Sequence, residues 1–316
     1  MKIILLVIAL LAGSIASNAQ TDATAKEVQA LAKDSKKTIE ADSAKPWKFN
    51  GMIAITGSQT GLKNWAAGGD QQIGLNSLAN FNANYAKGKQ SWQNTITGQY
   101  GTVKIKEKHD NFRKSDDKLQ FASKYGYALS KKWFYSCIFD YKSQFTDSWS
   151  YTDDGEKDKV ISGWWSPLYL TYTLGFDFQP CEYFTLYLSP LCGKSTIVTN
   201  DELSEAGAFG VEKGDHSRSE FGWYIRANFS HKITDYANLG TNITLFTNYK
   251  DGFVDEVDID WNLILTFQIN KWLAINFTSE LIYDEDIEIK EKDTDIKHSS
   301  LVQFKDVIGV GLTFKF

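Results

Sequence analysis

From Trp47 to the last residue the chain alternates apolar and polar positions with period two, in runs of 12 to 18 residues, the pattern of β-strands with one apolar face. Residues 163–178 show it best. Leu168, Leu170, Tyr172, Leu174, Phe176 and Phe178 share one face, and Tyr169, Thr171, Thr173, Gly175 and Asp177 the other. Residues 256–269 repeat it, with Val257, Ile259, Trp261, Leu263, Leu265, Phe267 and Ile269 set against Asp258, Asp260, Asn262, Ile264, Thr266 and Gln268. One template run along the chain predicts twelve strands, at about 47–58, 71–86, 91–105, 118–130, 132–147, 163–178, 183–198, 218–232, 236–250, 256–269, 272–287 and 299–316.

The connections between them alternate in kind. Short turns at Lys87–Gln90, Ser130–Lys132, Gln179–Glu182, Ile233–Asp235 and Asn270-Lys271 are interleaved with longer polar links at 59–70, 106–117, 148–162, 199–217, 251–255 and 288–298. An even strand count, short turns at one rim, long links at the other and both termini on the short-turn side are the layout of an outer-membrane barrel. Trp133, Tyr183, Tyr236 and Trp272 follow four of the short turns at once, and Trp92 stands two residues after the fifth. Aromatics at that level form a girdle where an amphipathic ring has one side in lipid and one in water.

A soluble barrel turns its apolar face inward and a membrane barrel turns it outward. No Lys, Arg, Asp or Glu falls in the central stretch of the apolar parity, where one would cost about 2–4 kcal/mol at the bilayer midplane; Asp306 sits toward the outer end of its span. A soluble core excludes charge as well, so the opposite face decides. It carries Gln72, Gly74, Asn76, Asn80, Asn82 and Asn84 in one strand and Gly126, Gly175, Gly222, Gly309 and Gly311 elsewhere. Asn and Gly are poor choices for a solvated strand face and suit a crowded or hydrated lumen. Ile308, Val310, Leu312, Phe314 and Phe316 then alternate up to a C-terminal Phe, which looks like the terminal signal read by the outer-membrane barrel assembly machinery. The expected fold is all-β, a single transmembrane antiparallel up-and-down β-barrel of twelve strands in the outer membrane, with both termini periplasmic.

Composition narrows this further. The 316 residues are 42% hydrophobic and 14% aromatic, yet 23% charged with a mean hydropathy of -0.34, which excludes a multi-span helical bundle. A formal net charge of -5 without a long basic run argues against nucleic acid as a partner. Met1-Lys2, the apolar run Ile3 to Ala12 and Ser17-Asn18-Ala19 read as a secretory signal over residues 1–19, too short in its apolar part for a membrane anchor. Residues 20–46, rich in Lys, Glu and Asp, read as a periplasmic tether, leaving 47–316 for the barrel.

Chemistry is sparse. Cys137, Cys181 and Cys192 show no disulfide or metal spacing, and Cys137 and Cys192 share the lipid-facing parity, where they serve as small apolar residues. His109, His216 and His298 fall in external links and His231 beside a periplasmic turn, with no nucleophile motif near any of them, so no enzyme activity and no cofactor is expected. Acidic clusters at Asp153-Asp154-Gly155-Glu156, Asp284-Glu285-Asp286 and Asp251, Asp255 and Glu256 lack a calcium-loop spacing and are interspersed with lysines, so they read as solvated loop faces rather than metal sites.

The lumen is the candidate site. Inward parity near mid-height gives Lys124, Asp140, Lys142, Arg226 and Glu280, with Asp177 toward the periplasmic end and Asp258, Asp260 and Lys305 toward the outer end. Five acids against four bases fit a compensated internal network better than a charge-selective ring. Twelve strands lie between the roughly 8 that side chains fill and the 16–18 of an open porin, which suits either a narrow pore or a plugged lumen. Pro167 and Pro190, at similar heights on consecutive strands, predict a bulge near the outer rim or a weakened seam, because proline removes a ladder donor.

In the first long link, Gln59 to Gly69 contains Asn64-Trp65-Ala66-Ala67-Gly68-Gly69. There the chain resembles a Bacteroidetes-type outer-membrane family, domain of unknown function 3078, and the resemblance runs through the barrel to Phe316. It implies a Gram-negative outer-membrane barrel and brings no established activity. Two function classes stay open. One is a narrow channel or transporter for small solutes through the polar lumen. The other is a non-conducting structural or partner-binding subunit of an outer-membrane complex, with lipid, the assembly machinery and another outer-membrane or periplasmic protein as partners.

Overall fold

The computed structural model describes residues 46–60, 72–105, 112–152, 156–250, 252, 256–284, 289–290, 297–298 and 302–315. The expected leader, the tether up to residue 45, the Asn64 to Gly69 motif, Phe316 and most of the three acidic clusters lie outside the described residues. Twelve strands close into one antiparallel barrel. They are β1 (Trp47–Thr60), β2 (Gln72–Lys87), β3 (Gln90–Ile105), β4 (Arg113–Ala128), β5 (Trp133–Ser143) and β6 (Leu168–Cys181). The second half comprises β7 (Phe184–Ile197), β8 (Ser217–Lys232), β9 (Ala237–Asn248), β10 (Asp258–Gln268), β11 (Leu273–Tyr283) and β12 (Gln303–Lys315). Each pairs with its sequence neighbours, and β1 pairs with β12. The hairpin of β2 and β3 holds sixteen residue pairs, from Gln72↔Ile105 to Lys87↔Gln90. Among the described residues the closing seam holds six, from Met52↔Lys315 to Gly57↔Val310.

The period-two pattern is realised with the apolar face outward. Ile53, Ile55, Phe81, Ile96, Phe139, Tyr172 and Phe176 are exposed on the wall, while Ala54, Leu78, Asn80, Thr97 and Ile264 are buried inside. The interior is packed as densely with Asn and Thr as with aliphatic residues, which a soluble core of this size would not choose. Trp92, Trp133, Tyr183, Tyr236 and Trp272 stand exposed at the short-turn rim, where Trp133 packs on Phe178 with ring centroids 4.6 Å apart and Trp47 on Trp92 at 5.8 Å.

Three short turns use one device, a side-chain oxygen that accepts from two successive backbone N–H groups. Ser130 Oγ takes those of Lys132 and Trp133, Thr234 Oγ1 those of Tyr236 and Ala237, and Asn270 Oδ1 those of Trp272 and Leu273. At the second of these turns the Lys232 ammonium, 2.7 Å from Asp235, holds that exposed carboxyl below the usual carboxylate range.

Several expected boundaries shift, each for a local reason. The strand expected over 132–147 stops at Ser143, because the Asp117 carboxylate captures the backbone N–H groups of Phe145 and Thr146 at 2.7 and 2.8 Å. Lys114 completes that anchor at 2.9 Å, and the segment folds back so that the Phe145 ring lies over Gly98. The strand expected over 163–178 begins at Leu168, which is buried rather than lipid-facing; residues 163–167 form a turn, and Pro167 sits in it rather than in a strand. The long links contain structure of their own. Ser148–Tyr151 pairs with Lys157–Ser162, and a helix α1 (Asp201–Glu205), capped by Asn200, carries Leu203 into a small cluster with Val198 and Val211.

Pro190 does sit in a bulge. Along β6 the register passes from Leu174↔Leu191 to Phe176↔Leu188, and along β8 from Gly222↔Cys192 to Tyr224↔Ser189. The Pro190 carbonyl accepts from the Tyr249 hydroxyl at 2.7 Å, so the irregular backbone is not left unpaired on the outer wall. The extra residue reverses parity beyond it. Cys192 therefore points inward and is fully buried, contrary to the lipid-facing position that its number implies, whereas Cys137 is exposed on the wall as expected.

Gly175 and Gly222 flank the bulge on its two neighbouring strands, and a Cβ at either would fall on a backbone carbonyl oxygen, that of Leu188 or Thr247. Gly222→Val should cost about 1–3 kcal/mol or more through overpacking, read as a lower denaturant midpoint for unfolding of the refolded barrel. Gly57→Val, where a Cβ meets nothing within 4 Å, should leave the midpoint unchanged.

Candidate functional site: a charged cavity in the barrel lumen

Toward the short-turn rim the interior is lined by hydrogen-bonded polar side chains. On β1 to β3, Asn82 Nδ2 donates to Asn50 Oδ1 at 3.0 Å and to Asn80 Oδ1 at 2.8 Å, Asn80 Nδ2 donates to Thr97 Oγ1 at 2.8 Å, and Thr95 donates to Asn82 at 2.7 Å. On β5 to β9 Ile138, Tyr187, Cys192, Tyr224 and Phe246 pack into an apolar layer along one side of the lumen. Below it the Tyr187 hydroxyl donates to the Ser136 carbonyl at 3.3 Å and meets Thr173 Oγ1 at 2.8 Å. Lys124 Nζ donates to Asp177 Oδ2 at 2.6 Å, and Gln179 donates to the same oxygen at 2.5 Å.

Above that layer, in the half nearest the long links, lies a cavity of about 300 Å³. Its cations are Lys118 on β4, Lys142 on β5, Lys194 on β7 and Arg226 on β8; its carboxylates are Asp140 on β5, Asp258 and Asp260 on β10, Glu280 on β11 and Asp284 just beyond β11. Two ion pairs tie distant strands across this space. Arg226 Nη2 reaches Asp140 Oδ2 at 3.1 Å, joining β8 to β5. Lys194 Nζ reaches Asp258 at 2.7 Å, with Asp284 at 3.7 Å and Glu220 at 3.8 Å, joining β7 to β10 and the end of β11. Lys194 also stands 5.1 Å from the centre of the Phe246 ring. Asp140 Oδ1, Arg226 Nε and Asn262 Oδ1 are buried without a partner among the described residues. Such atoms carry a desolvation cost that the neighbouring ion pairs offset only in part.

Of the five mid-height residues expected to face the lumen, Asp140, Lys142, Arg226 and Glu280 line this cavity. Lys124 faces inward but lies lower, in the ion pair with Asp177. Asp258 and Asp260 also line the cavity, and the side chain of Lys305 is outside the described residues. Parity alone missed Lys194, because it ignores the bulge; a lysine on an apolar parity two turns of the pleat beyond a proline was the available signal. Lys118 was missed for its place at a predicted strand end, Asp284 because it belongs to an acidic run that reads as a solvated loop face, and Tyr169, Tyr224 and Phe246 because aromatic residues on the inner face carry no periodic signature of their own. In the terminal strand Val310, Leu312 and Phe314 are exposed on the wall, while the side chains of Ile308 and Phe316 are outside the described residues.

A family model described as a protein of unknown function, DUF3078, matches residues 58–149, and a second, of unknown function and named DUF481, matches residues 197–304. The likeness to the first thus ends at residue 149 rather than running to Phe316. No curated protein matches the chain in sequence. Among solved structures the chain is similar to the NanC porin, with 7% identity over 84% of this chain and 100% of that one and a TM-score of 0.41. It is similar to the translocator domain of the autotransporter NalP from Neisseria meningitidis, with 10% identity over 94% and 100% and a TM-score of 0.38. The P. putida toluene transporter TodX is similar at 10% identity over 86% and 79%, with a TM-score of 0.33.

Removing one member of the Arg226–Asp140 pair leaves a desolvated charge, so Arg226→Met should lower the unfolding free energy by about 3–5 kcal/mol. The paired change Arg226→Met with Asp140→Leu should recover most of that loss in the same equilibrium unfolding measurement.

Proposed function

We propose that the protein is an outer-membrane conduit for small polar solutes, held narrow by side chains and ion pairs that cross its lumen. The single observation behind this reading is the charged cavity of about 300 Å³ inside a barrel whose outer wall is apolar. An apolar wall of closed, fully paired strands is a membrane-spanning surface, because in hydrocarbon every backbone group must find its partner within the protein. The rim of exposed aromatics beside the short turns fits the periplasmic interface, with the termini on that side and the long links outside. Val310, Leu312 and Phe314 then take the role of the terminal-strand signal during assembly.

In this reading the cavity lining serves passage: Arg226 is held by Asp140 and Lys194 by Asp258, so that these charges shape the space. In this reading the Arg226–Asp140 tie, with Tyr187, Tyr224 and Phe246 beside it, narrows the conduit from the β5 to β9 side, and conduction follows when these side chains swing aside. A barrel of twelve strands has the width for that, since its interior is larger than the roughly eight-strand limit at which side chains leave no space.

In planar bilayers the purified protein should give small, reproducible current steps. The doubly neutral Arg226→Ala with Asp140→Ala variant should raise the conductance at least twofold, and Thr244→Trp, which fills the cavity from β9, should abolish it. Silence from the native protein and the doubly neutral variant alike, with stoichiometric recovery of another membrane protein from native membranes, would replace the conduit by a non-conducting partner-binding subunit.

A further inference from the structure

Among the described residues the cavity is near charge balance, but its charges are not mixed. In a ring of twelve strands β4 stands opposite β10 and β5 opposite β11. All four lining cations, Lys118, Lys142, Lys194 and Arg226, come from the arc β4 to β8. Four of the five lining carboxylates, Asp258, Asp260, Glu280 and Asp284, come from β10 and β11 or the residue after it. The fifth, Asp140, is taken by Arg226, and Lys194 reaches over to Asp258. Lys142 and Glu280 are left on opposing walls, and neither has a hydrogen bond or ion-pair partner among the described residues; Lys305, the register partner of Glu280 on β12, has its side chain outside them.

A space with positive charge along one wall and negative charge along the other has a field across it. A lone anion gains from the first wall and is repelled by the second, a cation the reverse, and a neutral polar molecule is merely oriented. A molecule carrying both charges gains at both ends. We infer that this cavity binds zwitterions of amino-acid to dipeptide size, with the carboxylate at Lys142 and the ammonium at Glu280. The volume is at the lower end of ligand sites and admits a molecule of that size. The inference rests on the proposed conduit only for the direction of travel, because binding is readable without current.

Three probes of nearly equal size separate the charge forms at neutral pH: L-glutamine as the zwitterion, N-acetyl-L-glutamine as the anion and L-glutaminamide as the cation. Titration calorimetry on the full, refolded barrel should show glutamine bound at least tenfold more tightly than either derivative. Glu280→Gln should erase the advantage of glutamine over the anion, and Lys142→Met its advantage over the cation. The charge swap Lys142→Glu with Glu280→Lys should restore the zwitterion preference, which a merely misfolded single variant would not allow. Equal affinity for all three probes, or binding of none, overturns the inference. A silent barrel that nevertheless prefers glutamine sinks the conduit alone, and a conducting barrel indifferent to charge form sinks the zwitterion site alone.

Discussion

Everything in this molecule follows from the need of a backbone in hydrocarbon to pair every N–H and C=O within the chain. A sheet meets that need only by closing, and closing with this chain length and hairpin spacing gives twelve strands. Closure in turn divides each strand into an outer and an inner row, which is why the sequence alternates. The same demand explains the finer irregularities. Where Pro190 breaks the ladder, the Tyr249 hydroxyl comes in to meet its carbonyl, and where β5 ends, the Asp117 carboxylate meets the next two N–H groups. Neither side chain is near the lumen; both repair the wall.

The inner row obeys a different rule. Charges removed from bulk water need partners, and attraction within a low-dielectric space seldom does more than offset their desolvation. Lys124 with Asp177, Arg226 with Asp140 and Lys194 with Asp258 are such offsets, each between strands that are not hydrogen-bonded to one another. They act as guy ropes as well as counter-ions, because a tie between non-adjacent strands fixes the cross-section of a ring that backbone pairing alone would leave free to ovalise. Lys142 and Glu280 stand outside this arrangement, and that is what singles them out.

The strands were legible because a period of two survives almost any local noise, and six cavity residues, Asp140, Lys142, Arg226, Asp258, Asp260 and Glu280, were legible for the same reason. What parity cannot supply is phase and depth. One additional residue at Pro190 moves Cys192 and Lys194 from wall to lumen, and the depth of Lys124 depends on strand stagger, which no single strand encodes. Strand ends were misjudged where a distant side chain decided them, as Asp117 does for Phe145 and Thr146. The division of charge between two walls was also out of reach from one strand at a time, since opposition across a ring exists only after the ring has closed. The folded parts of the long links, such as α1 over Val198 and Val211, leave only a weak trace in the sequence because their apolar residues are few and irregularly spaced.

The inequality between the sixteen-pair hairpin of β2 and β3 and the six-pair seam of β1 and β12 has a consequence in time. A hairpin brings together residues that are already neighbours, so its loop-closure entropy is small and its contacts form early. Met52 and Lys315 are separated by nearly the whole barrel, and their seam gains least for the largest loss of chain freedom. Loop-closure entropy therefore favours forming the hairpins before the seam. Until it forms, the nascent molecule is a curved, open ribbon with two bare edges that a catalyst of insertion can hold apart.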